Sequence, residues 1–499
     1  MPSDTRPSLA GSGVAGLDDI LRGGLPRGHV YLVEGDPGVG KTTLSLQFLL
    51  EGRRAGERTI YVTLSETKAE LETVAASHGW SLDGIEIFEL TPPEALGDEQ
   101  NTLFHPSEVE LAETTRAILN ACGRINPDRA VFDSLSEIRL LAQTSLRYRR
   151  EVLALKQYFA GRSCTVLLLD DRTSPGTDNH LQSIAHGVIS LEQLAPLYGS
   201  QRRRLRLAKV RGVDFRGGFH DFSIERGGLV VFPRLVAAQH TAPVVDGIAA
   251  SGVSGLDAML DGGLHRGTST LLLGPAGTGK SSISTQWAAA AAARGEVAEI
   301  FAFDETIATF RARCKSIGID PDVRGGDGRI ITRQIDPAEV PPGQFAYQVR
   351  RAVEHDGVRL VVIDSLNGYM NAMPDESFLI LQLHELLTYL GQQGVVTILV
   401  VAQHGLVGSM VSPTDISYLA DTVIMLRHFE ADGALRRALS VLKRRTGKHE
   451  SAIREFRLSD NGVVVGEPLS RFRGVLTGVP TYQGPASALL EKSARDGVA

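Results

Sequence analysis

The segment Ser12 to Lys41 reads SGVAGLDDILRGGLPRGHVYLVEGDPGVGK, and Ser251 to Lys280 reads SGVSGLDAMLDGGLHRGTSTLLLGPAGTGK; the two align without a gap. A chain that carries so long a pattern twice is expected to fold it twice, since each copy brings the same apolar periodicity and turn chemistry. Later signals keep the same order, Asp133-Ser134 against Asp364-Ser365 and Lys209-Val-Arg211 against Lys443-Arg-Arg445. The spacing between them varies slightly, which puts insertions in loops and leaves the framework common. The boundary is expected near Ala242 to Ala250. The chain then divides into a tail (1–10), a first domain (11–245), a second domain (246–484) and a short tail (485–499).

In each half, short β-branched runs alternate with helical patterns. The first half offers strands at Val30–Glu34, Thr59–Ser65, Ala130–Ser134 and Thr165–Asp170, with helices over Thr42–Glu51 and Tyr148–Phe159. The second offers Ser269–Leu273, Glu299–Asp304, Leu360–Ser365 and Val396–Val401. Strands alternating with helices of about 10–15 residues predict an α/β fold, each domain a doubly wound, mainly parallel sheet. Ligands in such sheets bind beyond the carboxyl ends of the strands.

The chemistry-bearing residues cluster at those ends. Gly35-Asp-Pro-Gly38-Val-Gly40-Lys41-Thr42 and Gly274-Pro-Ala-Gly277-Thr278-Gly279-Lys280-Ser281 both fit the phosphate-loop pattern GxxxxGK[ST], and both follow a strand and precede a helix. Glycines let backbone N–H groups curl round phosphate, the helix N-terminus favours the anion, and the lysine reaches the outer phosphates. Thr42 and Ser281 supply hydroxyls for Mg²⁺, and Thr43 and Ser282 follow at the helix start. Asp133 and Asp364 end the apolar runs AVFD and LVVID and fit the aspartate that orients the magnesium ion. Each second strand closes on acids, Glu66 after Ser65 in one half and Asp304-Glu305 in the other, where a carboxylate can take a proton from an attacking water or hydroxyl.

Late in each half a basic strand appears. Lys209 with Arg211, and Lys443 with Arg445, lie two apart and are expected on one strand face. Three readings are open for them: charge delivered in trans to a neighbouring subunit's phosphate, a nucleic-acid groove, or a solvated face. The net charge of −6, from 52 basic and 58 acidic residues, gives no global attraction to nucleic acid. Apolar stretches such as Val395 to Ala402 are far short of the roughly 20 residues a membrane helix needs, and Met1 to Ala10 lacks a signal-like apolar core, so a cytoplasmic protein without a membrane role is expected. Cys122, Cys164 and Cys314 lie far apart and suggest buried thiols.

With the doubled phosphate loops, the acidic strand ends and the KxR strands, the chain resembles the KaiC family, the RecA-like double-domain ATPases of the circadian clock. The likeness runs from about Gly11 to Gly484 and is carried by GLDDILRGGLPRG, DSL at both aspartates, KVRG, Ala452-Ile-Arg-Glu-Phe, and the segment Phe472 to Thr481. It implies two tandem RecA-like domains in a hexameric double ring, with ATP and Mg²⁺ at subunit interfaces and clock or signalling proteins as partners. It further implies ATP hydrolysis in the first domain and autophosphorylation on adjacent Ser and Thr in the second. By position, Glu66 and Glu305 match the catalytic glutamates, Asp304 the second domain's other acid, and Ser417 the phosphoacceptor serine. Two positions depart: Ser65 replaces one of the first domain's paired acids, and Tyr418 stands where the family has threonine. A helix-cap or turn serine remains the other reading of Ser417. A DNA-dependent motor, or a nucleotide-gated scaffold without kinase activity, are the alternative functions.

Overall fold

In a computed structural model the chain separates into two compact units, Met1–Arg234 and Leu235–Ala499. The structure describes residues 8–89, 106–172, 179–196, 199–243, 245–371, 376–403, 417–460, 462–476 and 480–483. Residues 1–7 of the N-terminal tail, the tail 485–499, residues 477–479 of the late motif, and Asp415 and Ile416 beside the acceptor candidate lie outside them.

Each unit is built on one nine-stranded sheet. In the first unit the strands are β1 (Val30–Gly35), β2 (Thr59–Thr63), β3 (Glu86–Glu89), β4 (Arg129–Asp133), β5 (Thr165–Asp171), β6 (Gly187–Leu194), β7 (Arg202–Val210), β8 (His220–Glu225) and β9 (Gly228–Phe232). Their order across the sheet is β9-β8-β7-β6-β1-β5-β4-β2-β3. From β6 to β3 neighbours run parallel; β7, β8 and β9 add on antiparallel. The second unit repeats this with β10 (Ser269–Gly274), β11 (Val297–Ala302), β12 (Arg329–Gln334), β13 (Val358–Asp364), β14 (Val396–Ala402), β15 (Thr422–Ala431), β16 (Ala434–Arg444), β17 (Arg454–Ser459) and β18 (Gly462–Pro468). Its order, β18-β17-β16-β15-β10-β14-β13-β11-β12, is the same topology.

The central strands are apolar throughout because both faces are covered. In β1, Tyr31 and Val33 join one core with Leu44 and Phe48 of helix α1 (Lys41–Arg54). Val30 and Leu32 point the other way, into a core with Tyr148, Val152, Leu155 and Phe159 of helix α3 (Ser145–Ala160). Between α1 and α3 in sequence, α2 (Lys68–Ser77) follows β2, started by a capping box in which Thr67 and Glu70 exchange side-chain and backbone hydrogen bonds. In the second unit, Leu271 and Leu273 of β10 face one core and Leu272 the other, the latter shared with Ile283 and Trp287 of helix α4 (Lys280–Ala293). Helix α5 (Ile307–Ser316) stands where α2 does, capped by Thr306.

Strand ends differ from the sequence expectation where side chains intervene. The expected strand to Ser65 stops at Thr63, whose hydroxyl donates to the Glu66 carbonyl (2.6 Å) and accepts from the Glu66 amide (3.0 Å), turning the chain. The expected Glu299–Asp304 strand likewise stops at Ala302, although it begins earlier, at Val297. Ser134 and Ser365 are not strand residues but the N-caps of the following helices. Both Asp-Ser peptides at these caps are cis.

Candidate functional site

In both units the phosphate-loop motif bridges the central strand and its helix. Gly40 and Gly279, at the helix N-caps, have φ of +113° and +96°, which β-carbon-bearing residues rarely adopt. A Cβ on Gly40 would also lie 2.8 Å from Ile224 Cδ1. Helices α1 and α4 each run 14 residues and carry no acidic residue in the first turn, so their positive N-terminal ends are left for an external anion. Gly35 and Gly274 end the strands, and Gly38 and Gly277 turn within the loops at φ +77° and +76°. Thr278 is buried, and its hydroxyl donates to the Pro275 carbonyl at 2.8 Å, so it braces the loop from inside. Thr43 and Ser282 are buried just behind the lysines.

The two lysines are buried alike and partnered differently. Lys41 Nζ donates to the carbonyls of Gly35 and Asp36, each at 2.9 Å, and forms an ion pair with Asp171 at 2.7 Å. Lys280 Nζ donates to the equivalent carbonyls of Gly274 (2.8 Å) and Pro275 (2.6 Å). The register explains the difference: Gly35 pairs with Asp171 across β1–β5, whereas Gly274 pairs with Ala402 across β10–β14. Burial pushes Lys280 down to about 8.

At the end of β4, Asp133 Oδ2 accepts from Thr42 Oγ1 (3.0 Å) and from Tyr61 OH (2.5 Å). Burial raises the Asp133 carboxyl despite these donors and nearby Lys41. In the second unit the Ser281 side chain hydrogen-bonds Asp364, and burial again raises the carboxyl. A hydroxyl and a carboxylate brought together at a helix start and a strand end are the oxygen donors a phosphate-bound Mg²⁺ takes, so the residues present fit that ion.

The glutamates lie beside these aspartates in sharply different surroundings. Glu66 Oε2 is buried without a hydrogen-bond partner among the described residues, and burial with Asp133 and Glu70 nearby raises its carboxyl. Glu305 instead accepts from Arg313 on α5, with Nη2 to Oε2 at 2.8 Å and Nε to Oε1 at 3.1 Å. Asp304 accepts from Ser365 Oγ.

The KxR residues depart from the simple alternation expected. Arg211 and Arg445 lie just beyond β7 and β16, and a register shift interrupts pairing near Lys209 and Lys443. Arg211 Nη2 donates to the Ser183 carbonyl (3.1 Å), and burial with Arg211 and Lys156 close by lowers Lys209. In the second unit Lys443 Nζ donates to the carbonyls of Ser417 (3.0 Å) and Ala420 (2.9 Å), and Arg445 Nη2 to that of Tyr418 (2.7 Å). Arg445 also pairs with Asp421 at 3.4 Å. Ser417 is half-buried at the start of this clasped turn, and Tyr418 is exposed.

A family model described as "ATPase: KaiC" matches residues 10–236 and again 249–470. The chain belongs to the KaiC ATPase family. The Circadian clock oscillator protein KaiC of Parathermosynechococcus lividus is 28% identical over 486 residues, covering 94% of this chain and 87% of that protein. Those of Synechococcus elongatus and Acaryochloris marina are 28% and 27% identical, covering 94% of this chain and 91% and 90% of their own lengths. Both KaiC repeats of the chain thus bring together loop, lysine, hydroxyl, aspartate and glutamate at one sheet end. Sequence reading missed Tyr61, Asp171 and Arg313. Asp171 was legible as the second acid closing the run TVLLLDD; Tyr61, inside a strand, and Arg313, in a basic helix, carry no local signal. Among the described residues no helix is long and apolar enough to cross a membrane.

Proposed function

We propose that the chain is a KaiC-like ATPase that binds one ATP with Mg²⁺ in each domain, hydrolyses it, and transfers phosphate to Ser417 in the second. The observation that carries this reading is that lysine, hydroxyl–aspartate pair and glutamate recur at corresponding helix starts and strand ends of the two units. Lys41 and Lys280, with the amides of Gly38–Thr43 and Gly277–Ser282, hold the phosphates. Thr42 with Asp133, and Ser281 with Asp364, hold Mg²⁺, which when bound neutralises charge on the β- and γ-phosphates. In the first domain Glu66 takes a proton from water as its oxygen bonds to the γ-phosphorus. The bond to the bridging oxygen breaks, and ADP leaves with its electron pair. In the second domain Asp304 and Glu305 serve the same role toward water or the Ser417 hydroxyl.

The family resemblance supports a homohexamer with nucleotide at subunit boundaries, where Lys209 reaches a neighbour's phosphate and Arg211, Lys443 and Arg445 leave their carbonyl partners for it. The relatives' printed names support a role as a clock or signalling switch with protein partners. Residues 11–245 and 246–484 are the proposed functional domains, in a cytoplasmic setting.

The deciding experiment is intact-mass and phosphopeptide analysis after incubation with ATP and Mg²⁺, beside an Asp304→Asn, Glu305→Gln control. Phosphate on Ser417 in the unaltered protein alone is the expected result. ATP consumption without phosphate would remove the kinase and leave a nucleotide-gated switch. Arg211→Ala should lower turnover while monomer nucleotide affinity holds; unchanged turnover would remove the trans role.

A further inference from the structure

Arg313 has no counterpart in the first repeat. Counting from the shared helix caps Thr67 and Thr306, its position in α2 is Val74. The guanidinium is fixed on three sides. Two nitrogens bond both oxygens of Glu305, Nη1 donates to Thr285 Oγ1 of α4 at 3.3 Å, and the carbon centre lies 5.2 Å from the Phe310 ring. The position of Thr285 in α1 is Leu46, which is buried and apolar. Arg313 and its hydroxyl anchor Thr285 are therefore peculiar to the second repeat, whereas Glu305 corresponds to Glu66 and Phe310 to Leu71, the last two buried in both frameworks.

A carboxylate whose two oxygens accept from one guanidinium is held in the plane of that fork and has its charge already answered. Both of its oxygens are committed to that fork, and turning one toward a γ-phosphate requires breaking a contact that Thr285 braces. Side chains of Arg313 and Glu305 are only 21% and 22% exposed, so water screens the pair weakly.

We propose that Arg313 is a positioning residue that withholds Glu305 from water activation, so that the second site retains its ATP while the first site turns over. This rests on the glutamates being the water-activating bases. It gives the second domain a long-lived ATP, the condition that phosphoryl transfer to a side chain needs in competition with water.

The test uses the full chain with the first site silenced by Lys41→Ala, comparing Arg313, Arg313→Lys and Arg313→Val. The expected result is a kcat raised about tenfold in Arg313→Val, a fraction of the full general-base factor of roughly 10²–10⁴. Affinity for a fluorescent ATP analogue and the unfolding temperature should stay unchanged, and Arg313→Lys, able to make one contact, should fall between. A kcat that is unchanged or lower with affinity intact would overturn the proposal. Should Arg313→Val fail to fold, the reverse graft decides: Val74→Arg with Leu46→Thr, in Lys280→Ala protein, should slow the first site, and unaltered turnover there overturns the inference. Glu66→Gln with undiminished turnover would defeat the glutamate reading as a whole, whereas an inactive Glu66→Gln beside a silent Arg313→Val defeats only the restraint by Arg313.

Discussion

Around the first lysine an aspartate, Asp171, lies within 2.7 Å; around the second, the same register position is Ala402. Around the first glutamate one carboxylate oxygen is buried without a partner among the described residues; around the second, Arg313 occupies both. The backbone framework is repeated faithfully, down to the hydrogen bond from Leu64 or Phe303 to the aspartate carbonyl (2.7 and 2.6 Å). What diverges is the partner of each charged group. A duplicated fold can thus hold two nucleotides in one geometry and treat them differently through single side chains.

The largest expected effect is the loss of both sites together. Lys41→Ala, Lys280→Ala protein should neither bind nor hydrolyse ATP, while each single variant keeps about half the nucleotide stoichiometry, measured by retained nucleotide after gel filtration. Normal hydrolysis by the double variant would erase the site assignment. Next, Glu66→Gln should cut total ATP turnover by roughly 10²-fold or more, and Glu305→Gln should cut it little. Equal losses would dissolve the functional contrast between the repeats.

Acid should separate the repeats by stability. His220, buried in β8, shares a bond from Nε2 with the Arg216 carbonyl (3.0 Å), while its Nδ1 accepts from the Arg234 amide (2.8 Å), so the ring is neutral. Burial chiefly, with Arg234 and Arg216 nearby, lowers it from 6.5 to about 4. An unfolded histidine protonates more readily, so this contribution is complete above about pH 6.5 and is lost as pH falls toward 4. The loss amounts to on the order of 3 kcal/mol for the first unit. The second unit has Arg454 at the equivalent place in its sheet, where β17 meets Leu439 as β8 meets Leu205. Calorimetry between pH 7 and 4.5 should show the first unit's transition moving furthest; a parallel shift of both would count against His220. The smallest effect is expected from Tyr61→Phe, which removes the hydrogen bond to Asp133. First-site turnover should need about tenfold more Mg²⁺ or less, in keeping with the roughly 0.5–1.5 kcal/mol that a typical hydrogen bond is worth, and second-site nucleotide retention should not change.

The fold was largely legible because its signals are local. Phosphate loops and apolar runs such as AVFD and LVVID announce themselves within a few residues. Strand ends were less so: Ser65 and Ser134 continue the β-like composition, and only the Thr63 hydroxyl and the helix cap stop the strands. The partners of the site residues were not legible, since Asp171 reaches Lys41 and Arg313 reaches Glu305 through strand register and helix phase. The expectation that Lys209 and Arg211 lie on one strand meets a boundary one residue short of Arg211, since the strand ends at Val210 while the Arg211 amide still bonds the His186 carbonyl.

The contact between Lys41 and Asp171 has a consequence for how the two loops receive an anion. The first loop's ammonium is already paired with a carboxylate, so binding a phosphate there is an exchange of one anion for another. Weak anions such as sulfate or inorganic phosphate have little to offer it, and the triphosphate must displace a tethered competitor. The second loop holds its ammonium against neutral carbonyls and attracts whatever anion arrives. A single methyl-to-carboxylate change, Ala402→Asp, would give the second loop the first one's selectivity.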